Sequence, residues 1–183
     1  MNNNLIHIKG KILHKYVTPK GNNVLLRIGT GNNIVLCFIT DPTLKKYTEA
    51  FDTGDYINLI GNIQSSRRFD SNQNRTADTQ VVFVESITPP DYTDNSYYNH
   101  FRICGKIVRV QELKCCLKIT VRTNNNGRLS FVPVVIYHPA NHIKAFNNGD
   151  YIQAEGSVQS VKKYDIRTGK YNYYQNYVAE KMW

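Results

Sequence analysis

Gly149-Asp150-Tyr151-Ile152 repeats Gly54-Asp55-Tyr56-Ile57 at a distance of 95 residues, and other short strings keep the same distance. Gly10-Lys11-Ile12 returns as Gly105-Lys106-Ile107, Ala50-Phe51 as Ala145-Phe146, Gly61 as Gly156 and Gln64 as Gln159. Unrelated coincidences do not share one spacing, so the chain is a duplicated unit with almost no net insertion. The join falls near Thr88-Pro89-Pro90-Asp91, where two prolines stop a strand and open a polar linker. Two domains are therefore expected, residues 1–90 and 91–183.

Outward from the repeated tetrapeptide, the apolar pattern has period two. In the first unit Leu5 to Ile12, Val24 to Ile28, Ile34 to Ile39, Tyr56 to Ile63 and Val81 to Ile87 read as strands between Gly/Asn turns. Asp41-Pro42 reads as an N-cap followed by proline at the first helical position, with a helix through Leu44 to Phe51 that stops by Gly54. The second unit repeats the plan with strands near Phe101 to Arg109, Cys116 to Arg122, Leu129 to Tyr137, Tyr151 to Val161 and Tyr173 to Met182. Its helix is predicted between Pro139 and Phe146. Five strands with a helix between the third and fourth is the order of an OB barrel, which binds oligonucleotides or oligosaccharides on one face. The expected fold is mainly β, two tandem five-stranded OB-fold barrels, each with a short helix between strands 3 and 4; another small β-barrel is the alternative. Gly10 and Gly105, inside first strands, suit either a strand bent to serve both sheets or a plain bulge.

Composition narrows the partner. The apolar content of 41% is that of a folded protein, and the net charge of +9 favours an acidic polymer. Residues 1–90 hold 10 Lys+Arg against 7 Asp+Glu and residues 91–183 hold 13 against 7, so the second half is the more basic. No run approaches the ~20 apolar residues that span a bilayer, and Met1 to Asn4 has no basic and apolar signal regions. A cytoplasmic protein without a membrane partner is expected. Cys37, Cys104, Cys115 and Cys116 form no Cys-x-x-Cys pair and read as incidental thiols.

Gripping single strands regardless of sequence takes cations along the phosphates and flat side chains for the bases. Ten of the 13 tyrosines follow residue 90. Tyr164, Tyr171, Tyr173 and Tyr174 interleave with Lys162, Lys163, Arg167 and Lys170 in the predicted loop between the last two strands. Arg27 and Arg122 form a repeat pair on the second strands and are candidates for phosphate, as are Lys11, Lys106, Arg109, Lys118 and Arg128; a solvated strand face is the alternative for each.

Phe131-Val132-Pro133-Val134-Val135-Ile136-Tyr137, then a predicted helix, then Gly149 to Ser160, preceded by Asn99-His100-Phe101-Arg102-Ile103-Cys104-Gly105-Lys106-Ile107, resembles bacterial-type single-stranded DNA-binding proteins. The resemblance covers residues 99–182 and, more faintly, 4–87; it is to the variant with two OB modules per chain, with a phage, plasmid or other mobile element as expected source. It implies single-stranded DNA as ligand, a homodimer offering four modules, and contacts to replication or DNA-transfer proteins. It places Phe131 and Tyr137 at stacking positions on the third strand and Tyr164 near another in the long loop. The alternative for Phe131 and Tyr137 is barrel core. The 95-residue offset carries these positions back to Leu36, Pro42 and Phe69, so the first unit keeps one ring, inside Arg67-Arg68-Phe69 with Arg75 nearby, and is expected to bind more weakly. The family ends in an acidic tail, whereas this chain stops at Met182-Trp183, so recruitment through a tail is not expected.

Catalytic patterns are missing. There is no Gly-x-x-x-x-Gly-Lys-Ser/Thr loop and no Gly-x-Ser-x-Gly elbow, and Asp55 and Asp150 read as turn caps. His138 and His142 have metal spacing but no evident third ligand. No enzyme, metal or cofactor is expected. A protein adaptor in a replication or conjugation complex, and single-stranded RNA binding, are the rival functions. Tyr151 and Tyr56, beside the repeated Gly-Asp turn, read as structural.

Overall fold

The computed structural model describes residues 3–19, 21, 23–70, 75–89, 93–94, 96–125, 127–137, 146–166 and 169–183, and the backbone alone at 66–70, 75–79, 165, 170 and 172. Within these residues lie β1 (Asn4–Val17), β2 (Val24–Thr30), β3 (Asn33–Ile39), α1 (Pro42–Thr48), β4 (Tyr56–Asp70), β5 (Arg75–Thr88), β6 (Tyr98–Leu113), β7 (Cys116–Asn125), β8 (Arg128–Tyr137), β9 (Tyr151–Asp165) and β10 (Lys170–Met182). Alternation makes the strands: Ile6, Ile8 and Ile12 of β1 and Phe101, Ile103 and Ile107 of β6 are buried while their neighbours face outward. At α1 the Asp41 carboxylate accepts from the Thr43 and Leu44 amides at 2.8 and 3.0 Å, and Pro42 opens the helix. The helix ends at Thr48 rather than Phe51, whose ring is buried. The second predicted helix falls on residues 138–145, outside the described residues.

The strands outrun their predicted ends, most of all at β4–β5 and β9–β10. These pairs stay in register to Asp70↔Arg75 and Asp165↔Lys170, so the expected loops are two-stranded arms. The polar, aromatic composition of these stretches resembles a loop, yet hairpin pairing satisfies their backbone groups.

In the first half β1 pairs β2, β2 pairs β3, β3 pairs β5 in parallel, β5 pairs β4 and β4 returns to β1, which closes a five-stranded barrel in the OB order. The corresponding five pairings recur among β6 to β10. A Cβ at Gly10 would collide with the Gly29 carbonyl oxygen and one at Gly105 with the Arg122 carbonyl, so neighbouring strands approach too closely there for a side chain. The register slips three residues further on, around Leu13 in β1 and Val108 in β6. Gly54 and Gly149 have φ of 107° and 103°, and the following Asp55 and Asp150 carboxylates accept from the Asp52 and Asn147 amides at 2.7 and 2.8 Å. The repeated Gly-Asp is thus a turn, as its chemistry implied.

The halves join through antiparallel β1 and β6, from Asn4↔Ile103 to Lys9↔Tyr98. Ile6 faces Phe101, its own repeat equivalent, so the join has an approximate two-fold through that pair. An asparagine clamp, with Asn4 buried and Asn99 half-buried, obeys it. The Asn4 side chain bonds Ile63 N and O at 2.9 and 2.6 Å, and that of Asn99 bonds Val158 N and O at 3.0 and 2.7 Å. One continuous apolar core runs through both halves.

Candidate nucleic-acid interface

The outer face of β6, β7 and β8 is assembled by register. Lys106 stands opposite Arg122 and Arg122 opposite Phe131; one step along, Arg109 faces Thr120, Lys118 faces Val135 and Cys116 faces Tyr137. Their alternates Ile107, Ile119, Val121, Val132, Val134 and Ile136 fill the core, which obliges this set to point the other way. Neighbouring strands lie about 4.8 Å apart, so cations and rings from three strands share one small surface. Phe131 and Tyr137 are 46% and 42% exposed, which excludes the core alternative for both. Between them Val135 forms a small apolar cluster with Val178 and Cys116.

The β9–β10 arm carries the second concentration. Tyr171 stands opposite Tyr164 and Tyr173 opposite Lys162, which places these four on one face, while Lys163 and Tyr174 take the other. Lys162 Nζ lies 3.9 Å from the Tyr171 ring centre, Tyr164 and Tyr171 are 5.0 Å apart, and Lys163 Nζ lies 5.7 Å from the Tyr174 ring. All four tyrosines are exposed. Arg167 lies outside the described residues, and Lys170 is described by its backbone alone. The same holds for Arg67, Arg68, Phe69 and Arg75, whose backbones pair within the β4–β5 arm.

Each arm is anchored on the opposite half. The Ser160 hydroxyl accepts from the Ile34 amide at 3.1 Å, the Ser160 amide donates to the Asn33 side chain at 3.1 Å, and the Leu36 amide donates to Gln175. Across the pseudo-two-fold, the Ser65 hydroxyl donates to the Phe131 carbonyl at 2.7 Å. Arg128 lies over the Phe83 ring of the first half at 5.1 Å, so this expected phosphate ligand is engaged at the joint.

The uniform 95-residue offset fails on the β2–β3 hairpin. Lys11 faces Gly29, whereas its equivalent Lys106 faces Arg122, and Cys37 pairs with Val82 where Val134 pairs with Tyr177. Relative to β7–β8, the β2–β3 hairpin is slid by two residues, and compensating changes in the adjoining turns hide the slide from the net length. Side chains agree: Asn99 reaches the Thr30 hydroxyl at 3.2 Å where Asn4 reaches that of Thr123 at 3.3 Å. Arg27 is therefore not the counterpart of Arg122. Gly29 stands in the place of Arg122 and Ile34 in the place of Phe131. Arg27 is exposed, between His14 and Leu36.

Two features were missed. Tyr151, read as structural, is 78% exposed. Its equivalent Tyr56 is covered by Tyr97, with ring centres 5.9 Å apart and hydroxyls at 3.3 Å, and that hydrogen bond, with partial burial, raises the Tyr56 pKa. The Asn4 and Asn99 clamp also went unread, although the 95-residue offset relates the pair. Among the described residues no three His, Cys, Asp or Glu gather as metal ligands, and no helix is long and apolar enough to cross a membrane. His138 and His142 lie outside the described residues.

The pairings define a β-barrel protein with OB strand order and an exposed cationic and aromatic face. No family model matches the sequence, and no curated protein matches it. Solved structures do. The wild-type single-stranded DNA binding protein from Thermus aquaticus matches with a TM-score of 0.71 at 13% identity, over 100% of this chain and 92% of that one. A deletion variant of the same protein matches with the same TM-score and identity, over 100% of this chain and 94% of that one. At such identity the likeness establishes a shared fold along the whole chain.

Proposed function

We propose that this chain binds single-stranded DNA with little regard to sequence, stacking bases on exposed rings and neutralising phosphates with the cations beside them. The observation that carries the reading is the gathering of Lys106, Arg109, Lys118 and Arg122 with the open rings of Phe131 and Tyr137 on one outer face. The β9–β10 arm, with Lys162, Lys163, Tyr164, Tyr171, Tyr173 and Tyr174, extends it. The shared fold with proteins named as single-stranded DNA binding supports the same ligand. In finer terms the chain is a two-module member of that family from a phage, plasmid or other mobile element, acting in the cytoplasm in replication, recombination or DNA transfer. Residues 91–183 form the main binding module and residues 1–90 the weaker one. Arg167, Lys170, Arg67, Arg68, Phe69, Arg75, Arg27 and Arg128 are further contacts to the strand, and two copies pair to present four modules.

Anisotropy of labelled oligo-dT at two salt concentrations tests this. Affinity should fall steeply with salt, because bound cations release counterions from the strand. Absence of binding at micromolar protein, or binding indifferent to salt, would refute it; competition with oligo-U separates DNA from RNA. Gly29 and Ile34 in the places of Arg122 and Phe131 favour a second reading for the first half, as a surface for protein partners. Substituting Arg67, Arg68 and Phe69 together separates the two: unchanged DNA affinity with loss of a replication or transfer partner would favour the adaptor.

A further inference from the structure

A depression of about 340 Å³ opens on β6, β7, β8 and β9 of the second half, its lining including Lys106, Arg122, Asn124, Leu129 and Tyr151. Tyr151 stands opposite Lys106 on β9–β6, Lys106 opposite Arg122 on β6–β7, and Arg122 opposite Phe131 on β7–β8. Four adjacent strands thus present ring, cation, cation and ring in a single row. We propose that this depression is a one-nucleotide pocket, in which a base of the bound strand stacks on Tyr151 while its phosphate meets Lys106 and Arg122.

The duplication supplies the internal comparison. By the register of each strand, Tyr151 corresponds to Tyr56 and Asn124 to Gly31. In the first half that same place is filled by the chain itself: Tyr97 lies on Tyr56 at an interplanar angle of 32°, and its ring reaches within 3.9 Å of where a Gly31 Cβ would stand. The segment carrying Tyr97 is tied down by Lys9, whose ammonium meets the Asp94 carboxylate at 2.6 Å, and by the Ser96 amide and hydroxyl, which donate to Asp94 at 2.9 Å. The Lys9 bond, aided by Ser96, pulls the Asp94 carboxyl down to about 2. In the second half Tyr151 is 78% exposed, and nothing among the described residues stacks on it. The first half also has Gly29 where the second has Arg122, so only the second offers two cations beside the ring. A flat ring with a polar edge fits the place, and an anion suits its second copy; a nucleotide combines both.

The assignment deepens the proposed DNA binding and rests on it, and the two fail differently. Tyr151→Ala removes a ring that is mostly in water, so the fold should survive, which thermal melting checks. Affinity for labelled oligo-dT should fall about fivefold or more, the loss of one base stack, and Y151F, which keeps the ring, should restore it. Tyr56→Ala, at the place already filled, should leave affinity unchanged. If the wild-type chain ignores oligo-dT, the parent reading fails. If it binds and Y151A binds equally well, the pocket assignment alone is overturned. Free thymidine 5′-monophosphate distinguishes a strand nucleotide from a soluble one: failure to displace oligo-dT supports the strand, whereas displacement at micromolar mononucleotide would overturn it.

Discussion

Replacing Phe131 by Ile, the residue the first half has at that place, and, separately, Arg122 by Gln, which removes the charge that the first half lacks there, should leave different signatures. Phe131 is 46% exposed, so Phe131→Ile takes little from the core and should change stability by about 1 kcal/mol or less. Its ring is worth one base stack, roughly 1 to 3 kcal/mol, which corresponds to a loss of roughly 5- to 150-fold in affinity. A stack carries no counterions, so the dependence of log affinity on log salt should keep its slope. Arg122 stands between Lys106 and Phe131 and is exposed. Arg122→Gln should make that slope shallower by about 0.7, the value of one phosphate on a single strand. Anisotropy of labelled oligo-dT across a salt series reads both quantities at once. Phe131→Ile with unchanged affinity, or both variants altering the slope alike, would contradict the division of labour between ring and cation.

Three further outcomes test the frame that holds this face. Asn4→Ala strands the buried Ile63 amide and carbonyl, and Asn99→Ala strands those of Val158. Each should cost about 2 to 4 kcal/mol in urea unfolding, and a change below about 1 kcal/mol in both would rule out the clamp. Gly105→Ala drives a methyl into the Arg122 carbonyl, so it should destabilise by about 1 to 3 kcal/mol and also weaken oligo-dT binding, since Arg122 must move; melting and anisotropy together check this. With a thiol reagent Cys115, exposed, should react first, while Cys37, whose burial pushes its pKa far up, should react only on unfolding; equal rates would contradict the placement of β3.

The legible parts of the fold were those written in local chemistry. Asp41-Pro42 announced α1 because an N-cap and a first-turn proline act within a few residues. The arms were misread as loops because Lys162 to Tyr174 has no apolar face, and its strand character comes from hairpin pairing. Of the candidate site, the third-strand rings and the second-half cations could be singled out by residue type, and the structure places them on an outer face. Their union on one face depended on the β6–β7–β8 register, which includes the slip around Val108.

The amino-acid sequence by itself determined the short strings repeated at one 95-residue spacing, the succession of strand and helix signals and the unequal charge of the halves, because each is read along the chain without knowing what packs on what. Only the tertiary structure decided that β2–β3 is slid against the rest of its barrel, that each arm is anchored on the other half, and that Tyr151 is open where Tyr56 is covered. Register between strands is settled by packing both faces of a sheet at once, and a two-residue slide keeps every side chain on its face. The inside-outside pattern of the sequence is the same before and after such a slide, so only three-dimensional pairing could separate Arg27 from Arg122.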